Sequence, residues 1–481
     1  MSKDKIGKDE WVASYQQRST AGSEGWRGTL ARITTLLPTW AWFALIIAIG
    51  VAIPLLTSNN FAIRVAGNIA LMAILAMGLN LVVGYAGLLD LGFIAFYGIG
   101  GYIYAYLSSD FTGIHLPTLV TLVIVIVIGA LFGLLLGSPS LRLFGDYLAI
   151  VTLGFGQIFV QLMTSLTRVN IPGQERPVNL TGGPNGIVNL DSFSIFGFTA
   201  STVTDYYYVL LVFMVIILLV VYHLNNSRLG RAWRSLREDE LAADAMGMPT
   251  RRLKLLAFAL GAAIAGLSGA LFASWQGAVF PGNFDIALLI NVYAIIVLGG
   301  LGSLPGVILG SIVMVAIPEV LRNVELAGLL FYLLIIVTLI ATLKPRWRSA
   351  ALFVAVIVFG LILKPILTTI SPESFTTLEA TGSGFVNLVR GWLAIPIDAR
   401  AVGNLAFLAL VLIILLVTRL KDSRVQFIAL IPTLYLLSFV WETRLSQEPS
   451  VTRLLFVGVL LIVLMIYRPN GLLGQRRVEV V

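Results

Sequence analysis

Long apolar runs, repeated from one end of the chain to the other, constrain this sequence more than any other feature. Runs of roughly 16–23 residues are long enough to cross a hydrocarbon layer as helices. Candidate spans fall at 39–56, 61–83, 88–107, 118–137, 143–163, 206–223, 254–276, 286–302, 305–321, 328–343, 349–370, 401–418, 426–441 and 452–467. In lipid an unpaired backbone amide costs several kcal/mol, and a helix pairs its own. The ten-residue alternation of a membrane β-barrel is absent. Composition agrees: 58% of the 481 residues are hydrophobic and 12% charged, against about 25% charged in soluble domains. The expected fold class is an all-α, polytopic integral membrane protein with about fourteen transmembrane segments. Those near 88 and 286–321 read as broken or re-entrant.

The formal net charge of +8 does not point to nucleic acid, because the basic residues cluster in short loops between apolar runs, as the positive-inside rule produces. With the N-terminus inside, Arg142, the stretch Arg228 to Lys254, Lys344/Arg346/Arg348, Arg419/Lys421/Arg424 and Arg468/Arg476/Arg477 all fall on the cytoplasmic side. The segments 164–205 and 371–400 fall outside. Residues 1–38, with six Lys/Arg and no apolar core near Met1, read as a cytoplasmic tail. Both termini are expected in the cytoplasm. Cysteine is absent and His115 and His223 are the only histidines, so neither a disulfide framework nor a metal site is expected. No cofactor is expected either.

Glycine numbers 46. Gly129, Gly133 and Gly137 repeat every fourth residue, as do Gly306 and Gly310, a spacing that lets helices approach closely in lipid. Other glycines interrupt spans. Gly84-Tyr85-Ala86-Gly87 precedes Asp90 and Gly92, and a second interruption runs from Gly299, Gly300 and Gly302 to Gly306. Non-helical backbone at membrane depth survives only where protein or a water-filled cavity satisfies it, so these residues are candidates for a solute path. The competing reading is a plain turn at the membrane surface. Asp90 joins the path candidates because an ionisable residue inside a membrane is expensive and usually functional. Asn80 is a path candidate too, although it and Asn291 would serve equally well as interhelical hydrogen-bond partners.

The polar stretch 224–252 lies between two spans. Glu238, Asp239 and Glu240 suit a helix N-terminus. Leu241, Ala242, Ala245 and Met246 follow at helical spacing as one small apolar face, Gly247 ends the pattern, and Pro249 forbids its continuation. A helix of about ten residues is only about 15 Å long, so it lies in the cytoplasm with a face suited to a partner groove. The arginines before it read as solvated charges that set orientation.

The segment Glu240-Leu241-Ala242-Ala243-Asp244-Ala245-Met246-Gly247 resembles the coupling loop of ABC importer permeases. Further blocks resemble branched-chain amino acid permeases of the LivM type. They are Leu79 to Leu89 with Gly98-Ile99-Gly100-Gly101-Tyr102, Gly145 to Gly154, Thr181 to Gly186, Gly299 to Gly310, and Tyr467-Arg468-Pro469-Asn470-Gly471-Leu472-Leu473-Gly474. Two features depart from the pattern: Gln157 stands where some relatives carry glutamate, and residues 326–451 interrupt the passage to the last span. The implied organisation is a permease core over 39–325, including the coupling loop 224–252. An insertion of about four spans follows over 326–451, with 452–481 as last span and cytoplasmic tail.

The resemblance implies a permease subunit of an ATP-binding-cassette importer for leucine, isoleucine and valine in a bacterial cell membrane. Its implied partners are a homologous permease, two ABC ATPase subunits, an extracytoplasmic substrate-binding protein, membrane lipid and the small-molecule substrate. Glu240, Ala242, Ala243 and Gly247 would carry ATPase coupling. The chain itself contains no G-x-x-x-x-G-K-[ST] loop to cradle ATP, and it shows no catalytic constellation. It is therefore expected to be a transport component and not an enzyme. The alternatives are a permease for urea or short-chain amides, and an ion-coupled secondary transporter, which would need ionisable groups at the midplane to hold its ion.

Overall fold

Apolar side chains can meet lipid on one face and each other on the opposite face only if the backbone pairs internally, and the chain answers with helices throughout. The computed structural model describes residues 39–140, 146–167, 169, 179–322, 324–342, 347–370, 391–394, 396, 399–420, 422–445 and parts of 455–474. In order, the helices are α1 (Thr39–Leu56), α2 (Asn60–Leu79), α3 (Phe93–Leu107), α4 (Thr118–Ser140) and α5 (Asp146–Ser165). There follow α6 (Val203–Asn226), α7 (Arg228–Glu238), α8 (Glu240–Ala245), α9 (Thr250–Gln276), α10 (Ile286–Gly299) and α11 (Leu304–Val320). The last are α12 (Val324–Thr342), α13 (Trp347–Ile370), α14 (Ala399–Arg419) and α15 (Ser423–Val440).

Among the described residues nine helices are long and apolar enough to cross a membrane, and four more apolar helices are shorter, among them α3 and α11. The expected span at 452–467 and the tail 1–38 fall mostly or wholly outside the described residues. α2 and α9 are the central helices, buried over most of their length.

Small residues decide how closely α9 is approached. A Cβ on Gly133 would sit 2.7 Å from both the Phe258 carbonyl oxygen and the Ala262 Cβ, and one on Gly129 would sit 3.0 Å from the Ala262 carbonyl. The every-fourth-residue glycines of α4 are thus the face that meets α9. On its other side α9 meets α3, where a Cβ on Gly100 would overlap the Gly266 carbonyl and one on Gly269 the Tyr97 carbonyl. Such contact replaces the hydrophobic drive that helices in lipid lack.

One end of the bundle carries short strands. β1 (Ser108–Ser109) pairs with β2 (Ile114–His115), β3 (Ile187–Val188) with β6 (Ala278–Val279), and β4 (Ser194–Ile195) with β5 (Phe198–Thr199), all antiparallel. His115 Nδ1 and Asp191 Oδ2 lie 2.8 Å apart and tie two of these loops together. α6, about 36 Å long by its 24 residues, leads from this end to the opposite one, where α7 and α8 lie.

The helices after α11 build a second hydrophobic cluster. It includes Phe331, Tyr332, Val356, Trp392, Leu410, Tyr435 and Trp441, with Phe331 and Trp441 stacked at 4.1 Å.

Candidate functional site

The two glycine-rich interruptions meet at the α7 end of the bundle. α2 does not stop at Leu79 but loosens into a π-helical turn, Asn80–Tyr85, and single π turns within helices are frequent at functional sites. The chain then turns through 86–92 and re-enters as α3, only 15 residues long. α10 and α11 form a hairpin whose turn is 300–303, with Gly299 and Gly306 in backbone contact. Asn80 joins the two interruptions: its Oδ1 accepts from the Gly302 amide at 2.8 Å. Gly84 lies beneath that bond, where a Cβ would overlap Asn80 Oδ1 and come within 2.7 Å of the Gly302 nitrogen.

Most sequence candidates for the path therefore converge. Asn80, Tyr85 and Asp90 are buried. Gly92 rests on Thr152 of α5, whose hydroxyl accepts from the Leu91 amide at 2.9 Å. Asp90 Oδ1 accepts from the Gly92 amide at 2.9 Å, and its backbone carbonyl accepts from the Tyr293 hydroxyl at 2.6 Å. Its second carboxyl oxygen, the Asn80 amide nitrogen and the hydroxyls of Tyr85, Tyr97 and Tyr102 are buried with no hydrogen-bond partner among the described residues. A buried polar group left unpaired is costly, so the groups of Asn80, Tyr85 and Asp90 mark a place where a polar solute or water would be favoured, while Tyr97 and Tyr102 lie further along α3 against Phe284. Asn291, on α10, is exposed.

Gly300 does something the sequence did not suggest. It packs on Gly471 and Gly474, while the Leu472 and Leu473 amides donate to the carbonyls of Leu298 and Gly299 at 2.8 and 3.0 Å. The C-terminal Asn-Gly-Leu-Leu-Gly block thus closes the end of α10, satisfying carbonyls that a helix terminus leaves open.

The loop between α6 and α9 differs from its expected form. A single helix of about ten residues is replaced by two, α7 of 11 residues and α8 of six. Asp239 divides them. Its extended backbone ends α7, and its side chain caps α8 by accepting from the Ala242 amide at 3.0 Å. Such a cap satisfies a donor that an N-terminus leaves orphaned.

The arginine stretch is not a solvated loop. Ser227 caps α7 by accepting from the Leu229 and Gly230 amides. Trp233 and Leu236 are buried, and the Trp233 indole donates to the Leu253 carbonyl at 2.9 Å. Their three-residue spacing in an arginine-rich segment was the available signal, since it marks one helix face. Arg237 reaches back to donate to the Gly84 carbonyl.

On α8 the four coupling candidates separate by what they touch. Ala243 is buried and Ala242 exposed. Glu240 forms an ion pair with Lys254, a buried lysine at the start of α9. Gly247, at φ +77°, takes the left-handed conformation that ends a helix. Leu241 and Met246 are 79% and 83% exposed. On α5, Gln157 and Gln161 stand exposed among Ile150, Ile158 and Leu162, which are also exposed.

A family model described as branched-chain amino acid transport system / permease component matches residues 61–343, ending just beyond α12. The chain is 39% identical over 301 residues to the high-affinity branched-chain amino acid transport system permease protein LivM of Escherichia coli, covering 58% of this chain and 67% of the relative. It is 27% identical over 281 residues to LivH of Salmonella typhimurium, covering 56% and 88%. A probable branched-chain amino acid transport permease LivM of Methanocaldococcus jannaschii is 23% identical over 297 residues, covering 59% and 80%. No solved structure matches the chain significantly. With more than half its length matched, this polytopic chain belongs to the family of branched-chain amino acid transport permease components.

Proposed function

We propose that this chain is the transmembrane permease subunit of an ATP-binding-cassette importer for leucine, isoleucine and valine, driven by separate ATPase subunits through α8. One observation carries the reading. α8 stands at the end of the bundle beside the joined interruptions and presents Leu241 outward, with Met246 exposed at its C-terminal cap. Apolar side chains on a polar surface suit burial in a partner groove. The substrate class follows from the names of the relatives, LivM and LivH among them.

In this reading the α7–α8 end and both termini are cytoplasmic, the strand-capped end faces outward, and the protein sits in a bacterial cell membrane. The fourteen-span count is retained, with 326–451 as an addition to the 39–325 core. Ala327, Phe331 and Tyr332 of α12 belong to the second cluster, which favours that boundary, while the family match runs on through α12. A homologous permease, two ATPases and an extracytoplasmic binding protein complete the importer. The exposed face of α5 is assigned to the partner permease or the solute path, since Gln157 and Gln161 suit protein or water better than lipid. The cluster around Asn80, Gly84, Tyr85, Gly87, Asp90, Gly92, Gly299, Gly300 and Gly302 forms the cytoplasmic part of the path. In this reading the second carboxyl oxygen of Asp90 meets a substrate ammonium group.

The test is uptake by the reconstituted importer with Ala242→Arg or Gly247→Asp. Both should abolish uptake and substrate-stimulated ATP hydrolysis while membrane insertion persists. Full uptake by either variant, or transport on an ion gradient without ATP, sinks the assignment. Competition by urea or short amides, with none by leucine, redirects the substrate.

A further inference from the structure

We propose that Arg237 is the positioning residue that carries the movement of α8 to the turns of the solute path. This rests on the reading of α8 as the coupling helix and deepens it.

Three glycines from the two interrupted spans converge on this one side chain. The Gly84 carbonyl accepts a hydrogen bond from the Arg237 guanidinium. A Cβ on Gly87 would sit 2.8 Å from Arg237 Cγ and 3.2 Å from its Cα, so helix α7 lies directly against the 86–92 turn. A Cβ on Gly302 would sit 3.0 Å from the guanidinium Nη1. Gly302 is in turn held by Asn80. The arginine therefore touches both turns where they touch each other.

Its own mounting is stiff. Trp233 fastens α7 to Leu253 at the start of α9. Only Asp239 separates α7 from α8, and its carboxylate caps α8. The Glu240–Lys254 ion pair ties the first residue of α8 to α9. A force applied to the exposed face of α8 has little slack to absorb it before it reaches Arg237. The planar guanidinium, always charged, keeps its donors at the Gly84 carbonyl through such a displacement. Gly84 is the penultimate residue of the π turn, where terminal carbonyls lack an intrahelical donor.

The absence of cysteine allows a direct test in the complete importer, with permeases, ATPases and binding protein in proteoliposomes. Leu301→Cys, on the exposed part of the 300–303 turn, reports by its maleimide labelling rate with and without ATP and vanadate. Nucleotide should change that rate with Arg237 present and leave it unchanged with Arg237→Gln. Uptake should fall about tenfold or more in Arg237→Gln, within the usual span of coupling energies, while ATP hydrolysis persists without stimulation by substrate. Arg237→Lys, which retains one donor, should recover part of the nucleotide response. The proposal is overturned if Arg237→Gln keeps both uptake and the nucleotide-dependent labelling. It is also overturned if that variant loses its ATPases on purification, because Arg237 would then serve assembly. Failure of the underlying reading looks different: labelling insensitive to nucleotide with Arg237 intact, or full uptake by Leu241→Arg.

Discussion

Two side chains show how the same chemistry acts differently at the two ends of the bundle. Asp90 is buried with one carboxyl oxygen unpaired, a state that stability alone would remove. Asp90→Asn should therefore leave the chain folded, with thermal stability unchanged or raised. It should lower uptake at limiting substrate by about ten- to a hundredfold, the size of one charge-assisted hydrogen bond of about 1.5–3 kcal/mol. An initial-rate series that shows a raised KM checks this, and an unaltered KM removes Asp90 from the path. His115 sits in the strand cap, exposed, with Asp191 at 2.8 Å and Asp110 at 3.5 Å. The hydrogen bond and charge of Asp191, helped by Asp110, raise its pKa above the ordinary 6.5. Because the folded value lies above the unfolded one, its contribution to stability is complete below about 6.5 and fades as pH rises through the raised value. Melting curves of the wild type should show that decline, and His115→Gln should flatten it. Asp90 was a path candidate by residue type alone, whereas the role of His115 was not readable from its type. Asp90 and His115 both stood out in the sequence, but beside the near neighbours Gly92 and Asp110 each has a partner that the chain brings from afar, Tyr293 and Asp191.

Helices carry the next level of specification. The every-fourth-residue glycines of α4 announced a close packing face, and α9 is what they meet. Gly133→Leu should destabilise the chain by at least the ~1–3 kcal/mol typical of overpacking, since backbone lies 2.7 Å from the first added carbon. A lowered melting temperature in detergent is the measurement, and an unchanged one would mean α4 can withdraw from α9. Caps were partly legible: the acidic run 238–240 was recognised as a helix start, but which acid did the capping was not. Asp239→Ala should cost roughly 0.5–2 kcal/mol of local stability, read as faster hydrogen exchange across α8. α7 was missed because its four arginines match its four apolar residues in number and mask their spacing. Only burial of Trp233 and Leu236 shows that its charges rim a packed face.

The molecule as a whole divides its apolar residues between two clusters, one built by α2 to α11 and one by the helices that follow. If 326–451 is an addition with an even number of spans, its removal leaves the sidedness of the last span unchanged. Joining 325 to 452 should then give a chain that inserts, keeps its C-terminus on the original side of the membrane, and transports at a reduced rate. Protease or thiol accessibility of the new C-terminus measures this directly, and an inverted terminus would refute the four-span count.

Membrane embedding, helical class and the rough placement of the nine long apolar helices among the described residues were legible because lipid imposes one local rule: a run must be apolar and long enough, and it must pair its own backbone. That rule needs no knowledge of neighbours. The glycine interruptions and the small helix before Gly247 were legible for a similar reason, as breaks in a local pattern. Which residues then meet is a property of packing between segments far apart in the chain. Asn80 reaches Gly302, Arg237 reaches Gly84, and Leu472 reaches Leu298. Each of these bonds satisfies a polar group that its own segment leaves open, and only the folded arrangement of the helices supplies the partner.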